Sequence, residues 1–204
     1  MTQSLHFFKE TPSQTAGPYV HIGCTPNFTG IEGVFAEDLG TQMVGKQADG
    51  ERITVRGCVF DGTGAPVKDA LVEIWQADAK GLYNSPSEVR GTADPNFTGW
   101  GRCPSDMESG EFVFETIRPG QIPFKDGRMM APHITFWVVA RGVNIGLHTR
   151  MYFSDEETAN STDPILTRIE HKQRVPTLIG QKNGSDYRFD IHLQGDNETV
   201  FFDI

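Results

Sequence analysis

Short runs of alternating apolar and polar residues, cut apart by glycine, proline and aspartate, constrain this chain more than any other feature. The clearest run starts at Arg52. Ile53, Val55, Gly57 and Val59 alternate with Thr54, Arg56 and Cys58, the two-residue period of a strand with one face in a core. Asp61-Gly62-Thr63-Gly64 has the make-up of a tight turn. Strands are expected again at Leu71-Val72-Glu73-Ile74-Trp75-Gln76, at Phe112-Val113-Phe114-Glu115-Thr116-Ile117, and at His148-Thr149-Arg150-Met151-Tyr152-Phe153. Residues 133–140 are almost continuously apolar and suit a central strand buried on both faces. Residues 187–193 alternate as one strand, and 199–202 pair at the end. Some seven short strands with turn signals between them predict an all-β fold, an antiparallel β-sandwich.

Two regions depart from this pattern. Residues 1–50 are rich in turn formers with weak periodicity. They are expected to form an N-terminal arm that packs on the body and on a partner chain, with a short helical turn near Phe35-Ala36-Glu37-Asp38-Leu39. Residues 51–204 form the sandwich domain. Within it, 154–172 is the one helical stretch: short helices are expected there, with Ser154 capping the first and Pro164 opening a second.

Composition excludes several classes. With 18 Lys and Arg against 27 Asp and Glu, the net charge is −9, the wrong sign for a nucleic-acid footprint. No apolar run is long enough to span a membrane. The start, Met1-Thr2-Gln3-Ser4-Leu5-His6, has neither the basic nor the apolar region of a secretory signal. Cys24, Cys58 and Cys103 form no CxxC pair, so a cytoplasmic protein with reduced thiols is expected.

The common catalytic signatures (GxSxG, GxGxxG, a phosphate loop, HExxH) are absent. What the sequence offers is tyrosine, histidine and arginine beside glycine and proline. Trp75-Gln76-Ala77-Asp78-Ala79-Lys80-Gly81-Leu82-Tyr83 leaves a strand for a loop. Asp94-Pro95-Asn96-Phe97-Thr98-Gly99-Trp100-Gly101-Arg102 comes next. Arg118-Pro119-Gly120-Gln121-Ile122-Pro123 leads into Ala131-Pro132-His133-Ile134-Thr135-Phe136. His148, Trp75 and Trp100 read as packing residues, and the acidic runs at 37–38 and 155–157 as solvated loop and helix start.

Taken in order and at this spacing, from Thr11-Pro12-Ser13-Gln14-Thr15-Ala16-Gly17-Pro18-Tyr19 to Thr199-Val200-Phe201-Phe202-Asp203, these segments resemble the intradiol ring-cleavage dioxygenase family. The resemblance implies a β-sandwich that opens a catecholic ring between its two hydroxyl-bearing carbons and inserts both atoms of O₂. It also implies a ferric iron held by two tyrosines and a His-x-His pair. Phenolate oxygen suits Fe(III), and residues two apart on a strand face the same way. Here Tyr83 matches the first tyrosine and His133 the first histidine. Ile122 and Thr135 stand where the second tyrosine and second histidine belong. The ligand set is therefore degenerate, and neither metal binding nor catalytic residues are expected on this chain.

One branch of the family joins two homologous chains, α and β, of which only β carries Fe(III). This chain resembles α. The resemblance implies a β partner and a higher-order assembly of αβ protomers. It also implies an active site at their interface that converts 3,4-dihydroxybenzoate to 3-carboxy-cis,cis-muconate in the β-ketoadipate pathway. Carried over, the residues lining the substrate pocket are Thr15, Gly17, Pro18, Tyr19 and Arg141. The chemistry agrees: a desolvated carboxylate needs a cation, an arginine fork meets it bidentately, and Gly17-Pro18 lets backbone approach a flat ring. Two alternatives stay open: a self-sufficient iron dioxygenase using Tyr83, His133 and unrecognised ligands, and a non-catalytic binding module. Colour separates them, since tyrosinate-to-iron charge transfer is red-brown.

Overall fold

The computed structural model describes residues 15–203. The first fourteen residues of the expected arm, including Thr11-Pro12-Ser13-Gln14, lie outside the described residues.

One nine-stranded sheet curls on itself. β1 (Arg52–Phe60), β2 (Leu71–Trp75), β4 (Glu111–Ile117), β7 (His133–Val139) and β8 (Leu147–Phe153) fall where the alternation places strands. β3 (Trp100–Pro104) and β9 (Ile179–Asn183) are too short of apolar residues to announce themselves. A two-residue hairpin of β5 (Ile122–Pro123) and β6 (Met129–Met130) stands apart. β1 pairs with β4 on one side. On the other it pairs with β10 (Asp186–Arg188) and then β11 (Ile191–His192), and the sheet continues from β10 through β9, β8, β7 and β2 to β3. The ends of the sheet come close together: a Cβ on Gly101 of β3 would sit 3.2 Å from the Phe114 ring of β4. The core fills the space enclosed. Val55, Val59, Val72, Ile74, Val138 and Met151 surround the rings of Phe112, Phe114, Phe136 and Phe189, each buried side chain adding about 1.5–3 kcal/mol.

The sandwich-like, mostly antiparallel architecture is as expected, with four corrections. First, β1 runs parallel to β10 and β11, and β8 parallel to β9; alternation does not encode strand direction. Second, 187–193 is two strands, because the Asp190 carboxylate accepts the Cys58 N–H that a continuous ladder would have used. Third, β7 is central but not doubly buried: Ile134, Phe136 and Val138 face the core while Thr135, Trp137 and Val139 stay half-buried. Fourth, the helical turn at 35–39 does not form. The arm's helix is α1 (Pro18–Cys24), with Gly17 at its N-cap and Pro18 in its first turn, where the missing proline N–H costs nothing.

On the outer face of β7 and β8, α2 (Glu157–Thr162) and two 3-10 turns, Leu166–Arg168 and Lys172–Leu178, cover a second apolar cluster around Tyr152. Ser154 does not cap α2: its Oγ accepts the Lys182 N–H, and Glu156 holds the N-cap position. Asp163 organises the chain just beyond α2. Its buried carboxylate accepts the N–H groups of Ile165, Leu166 and Ala131, fixing both the turn opened by Pro164 and the approach to β7. No helix among the described residues is long and apolar enough to cross a membrane, and the three cysteines are free thiols.

Candidate functional site

The degenerate ligand positions gather at the start of β7. After β2 the chain turns tightly at Asp78, whose Oδ1 accepts the N–H groups of Lys80 and Leu82. Gly81 closes the turn at φ 79°, packed against the Gln121 carbonyl where a Cβ has no room. Tyr83 thereby lies flat on Trp75, ring centroids 5.8 Å apart and planes within 4°. The Pro119-Gly120 turn docks on the same loop, Gly120 N–H donating to the Asp78 carbonyl at 2.8 Å. This carries Ile122 into a buried cluster with Ala77 and Met130, against Tyr83. His133 is buried 5.5 Å from the Tyr152 ring, its Nδ1 2.8 Å from the Ala131 carbonyl. Thr135 sits opposite Trp75 on β2 and Arg150 on β8.

The electrostatics there are those of neutral groups beside a cation. Burial raises the Tyr83 phenol, partly offset by the Arg150 charge. Burial, with Arg150 adding, lowers His133 to about 4. Arg150 reaches the Met130 sulfur at 3.6 Å and lies 5.9 Å from the Phe202 ring centre. Among the described residues it has no carboxylate partner. Ferric iron asks for anionic oxygen donors. This set offers a phenol held in its neutral form, one imidazole, a hydroxyl and an isoleucine, next to a fixed positive charge, and it does not suit that ion. The sequence reading missed Arg150. Its signal was a charged residue in the middle of a strand, but the residue it faces is set by register, which the sequence does not display.

The expected substrate-pocket residues meet at the opposite end of β7. Arg141 lies eight residues beyond His133, about 27 Å along an extended strand. The Thr15 hydroxyl accepts the Gly142 N–H at 2.7 Å, tying the arm to the turn after Arg141. Arg141 Nε pairs with Asp69 Oδ2 at 3.2 Å, and its side chain is 77% exposed. His21, on α1, donates from Nε2 to the Asp69 carbonyl at 2.9 Å. Tyr19 on the same helix is 84% exposed, and a Cβ added at Gly17 would touch nothing within 4 Å. Thr15, Gly17, Pro18, Tyr19 and Arg141 thus form an open surface that three segments build, not a closed pocket. Asp69 and His21 belong to it and were not read from the sequence.

A nearly closed sandwich bearing a Trp-Gln-Ala loop tyrosine and a His-x-Thr strand defines a class, and comparison with known proteins identifies it. The sequence model of a family described as Dioxygenase matches residues 24–195. The dioxygenase domain of a carbohydrate-binding fusion protein from Streptomyces sp. SirexAA-E shares the fold, with TM-score 0.54 and 22% identity over 93% of this chain and all of that one. The 3-chlorocatechol 1,2-dioxygenase of Rhodococcus opacus 1CP does so at TM-score 0.55 and 22% identity, over 76% of this chain and 64% of that one. The chain belongs to the intradiol ring-cleavage dioxygenase family. Within it, the chain is 42% identical over 203 residues, 98% of each sequence, to the protocatechuate 3,4-dioxygenase alpha chain of Pseudomonas putida. Against the beta chain of that enzyme from Burkholderia cepacia it is 36% identical over 182 residues, 80% of this chain and 77% of that one.

Proposed function

We propose that this chain is the iron-free α subunit of a protocatechuate 3,4-dioxygenase, which converts 3,4-dihydroxybenzoate and O₂ to 3-carboxy-cis,cis-muconate in the cytoplasm. In this reading the ferric iron sits in a homologous β chain, where it activates the catechol toward O₂. The observation that carries the reading is the match to an alpha chain along almost the whole length, joined to a ligand set in which Ile122 and Thr135 cannot serve iron and Arg150 repels it.

The α subunit contributes shape and charge. Arg141 presents a guanidinium fork to the substrate carboxylate. Gly17 offers backbone without a side chain in the way, and Pro18, Tyr19 and Thr15 complete the wall. Their distance from the degenerate cluster supports a role at a neighbour's centre, since one small ring cannot reach both ends of β7. Residues 1–50 act as the arm that meets the partner, and 51–204 as the body. Exposed apolar side chains along that arm, Tyr19, Ile22, Phe28, Ile31 and Phe35 among them, support a covered surface in an αβ assembly.

Co-expression with a β homologue bearing two tyrosines and His-x-His tests the proposal. The complex is expected to be red-brown, with one iron per β chain and O₂ uptake on 3,4-dihydroxybenzoate, while this chain alone is colourless and inactive. Stoichiometric iron and O₂ uptake by this chain alone would overturn it in favour of a self-sufficient dioxygenase.

A further inference from the structure

We propose that Asp69 is a positioning residue for substrate carboxylate recognition, acting through Arg141; the inference rests on the assignment of Arg141 above. Asp69 immediately precedes Ala70 and β2, and β2 is antiparallel to β7 with Leu71 opposite Val139. That register brings Asp69 beside the turn that carries Arg141. The contact is one-sided. Asp69 Oδ2 meets Nε, the guanidinium nitrogen nearest the stem. Among the described residues, neither terminal nitrogen of Arg141 makes a hydrogen bond. An ion-pair contact at Nε draws the arginine stem toward Asp69 and leaves the two outer nitrogens to meet a carboxylate in parallel.

The surroundings hold the clamp still. The backbone carbonyl of Asp69 accepts the His21 Nε2–H, which anchors α1 to the same point. Thr15 holds Gly142, whose φ of 84° only glycine adopts cheaply. Arg141 is thus gripped from one side by Asp69 and from the other through the Thr15–Gly142 bond. Among the described residues the second carboxylate oxygen, Asp69 Oδ1, is buried without a partner and Asp69 pairs with no cation besides Arg141, so its removal reports mainly on Arg141. A long arginine left unclamped on the surface has to be ordered each time substrate arrives, at a cost in rotamer entropy.

The test uses the αβ complex, with 3,4-dihydroxybenzoate and with 4-methylcatechol, which lacks the carboxylate. Asp69→Ala is expected to raise KM for 3,4-dihydroxybenzoate roughly fivefold with kcat within about twofold, the size of one exposed ion pair. Asp69→Glu is expected to restore most of it, and kcat/KM for 4-methylcatechol should not move. In an Arg141→Ala background, which itself raises KM for the carboxylate substrate, adding Asp69→Ala should change nothing further. A KM that falls in Asp69→Ala shows Asp69 competing with substrate and overturns the inference. So does an effect equal on both substrates, or one that persists without Arg141. If Arg141→Ala leaves KM unchanged, the assignment of Arg141 fails; if it raises KM while Asp69→Ala does not, the clamp alone fails.

Discussion

Thr135 on β7 and Arg150 on β8 stand directly opposite each other in the sheet. At the position where the family resemblance asks for a second histidine, the cross-strand partners are Trp75 on one side and an arginine on the other. Restoring the donors alone should therefore not restore a metal site. In Ile122→Tyr/Thr135→His the charge of Arg150 still opposes the ion, by about 3 kcal/mol per unit charge at ~5 Å and an effective dielectric of 20. We expect that double variant to stay colourless in ferric iron, and the triple variant with Arg150→Gln to take up iron and turn red-brown. Metal analysis and visible absorbance read the difference.

Tyr83 serves as a packing ring. It lies on Trp75, its hydroxyl makes no hydrogen bond among the described residues, and burial keeps the phenol protonated. Tyr83→Phe should leave stability within about 0.5 kcal/mol and leave iron content and turnover of the αβ complex unchanged. Tyr83→Ala should cost about 3 kcal/mol. Loss of colour in the phenylalanine variant would place this tyrosine on the metal after all.

Two glycines should respond in opposite ways. Gly57 lies in β1 against the Phe189 carbonyl, so close that an added Cβ overlaps it. That backbone is pinned by the Phe189 N–H bond to the Arg56 carbonyl. Gly57→Ala should destabilise by about 3 kcal/mol or more. Gly17 has open space around it and an extended φ of −125°. Gly17→Ala should melt like the parent, while its KM for 3,4-dihydroxybenzoate in the complex rises. Thermal unfolding and steady-state kinetics separate the two.

His133 predicts a pH dependence with a definite sign. Burial and the Arg150 charge lower it to about 4 in the folded chain, against about 6.5 when unfolded. Between those values the unfolded chain binds a proton that the folded chain refuses. Stability from this residue is complete above pH 6.5, falls as pH drops through the window, and levels off below 4, by about 3 kcal/mol in all. Denaturant midpoints at pH 7 and 4.5 should diverge more for the parent than for His133→Gln.

The strands that carry their own alternation, β1, β2, β4, β7 and β8, were legible because a period of two survives in sequence. β3 and β9 were not, since Trp100–Pro104 and Ile179–Asn183 are ordered by their neighbours. The helix expected at Phe35 rested on composition alone, whereas Gly17-Pro18 carried a genuine helix start. At the candidate site, the family resemblance singled out Tyr83, Ile122, His133 and Thr135 as one set and Thr15, Gly17, Pro18, Tyr19 and Arg141 as another. Arg150 and Asp69 stayed hidden because each matters through a single cross-strand neighbour: Thr135 for one, and the turn after Val139 for the other.

Strand β1 opens the body, yet Thr54 and Val59 find their parallel partners at Asp186 and Ile191. A growing chain therefore carries its first strand with one bare edge until residues some 130 positions further on arrive to pair with it. Parallel pairing over such a separation is slow, and an unpaired edge invites other strands. The body's sheet therefore cannot close until residues 186–192 are available, and any assembly that depends on its finished shape waits on the same late pairing.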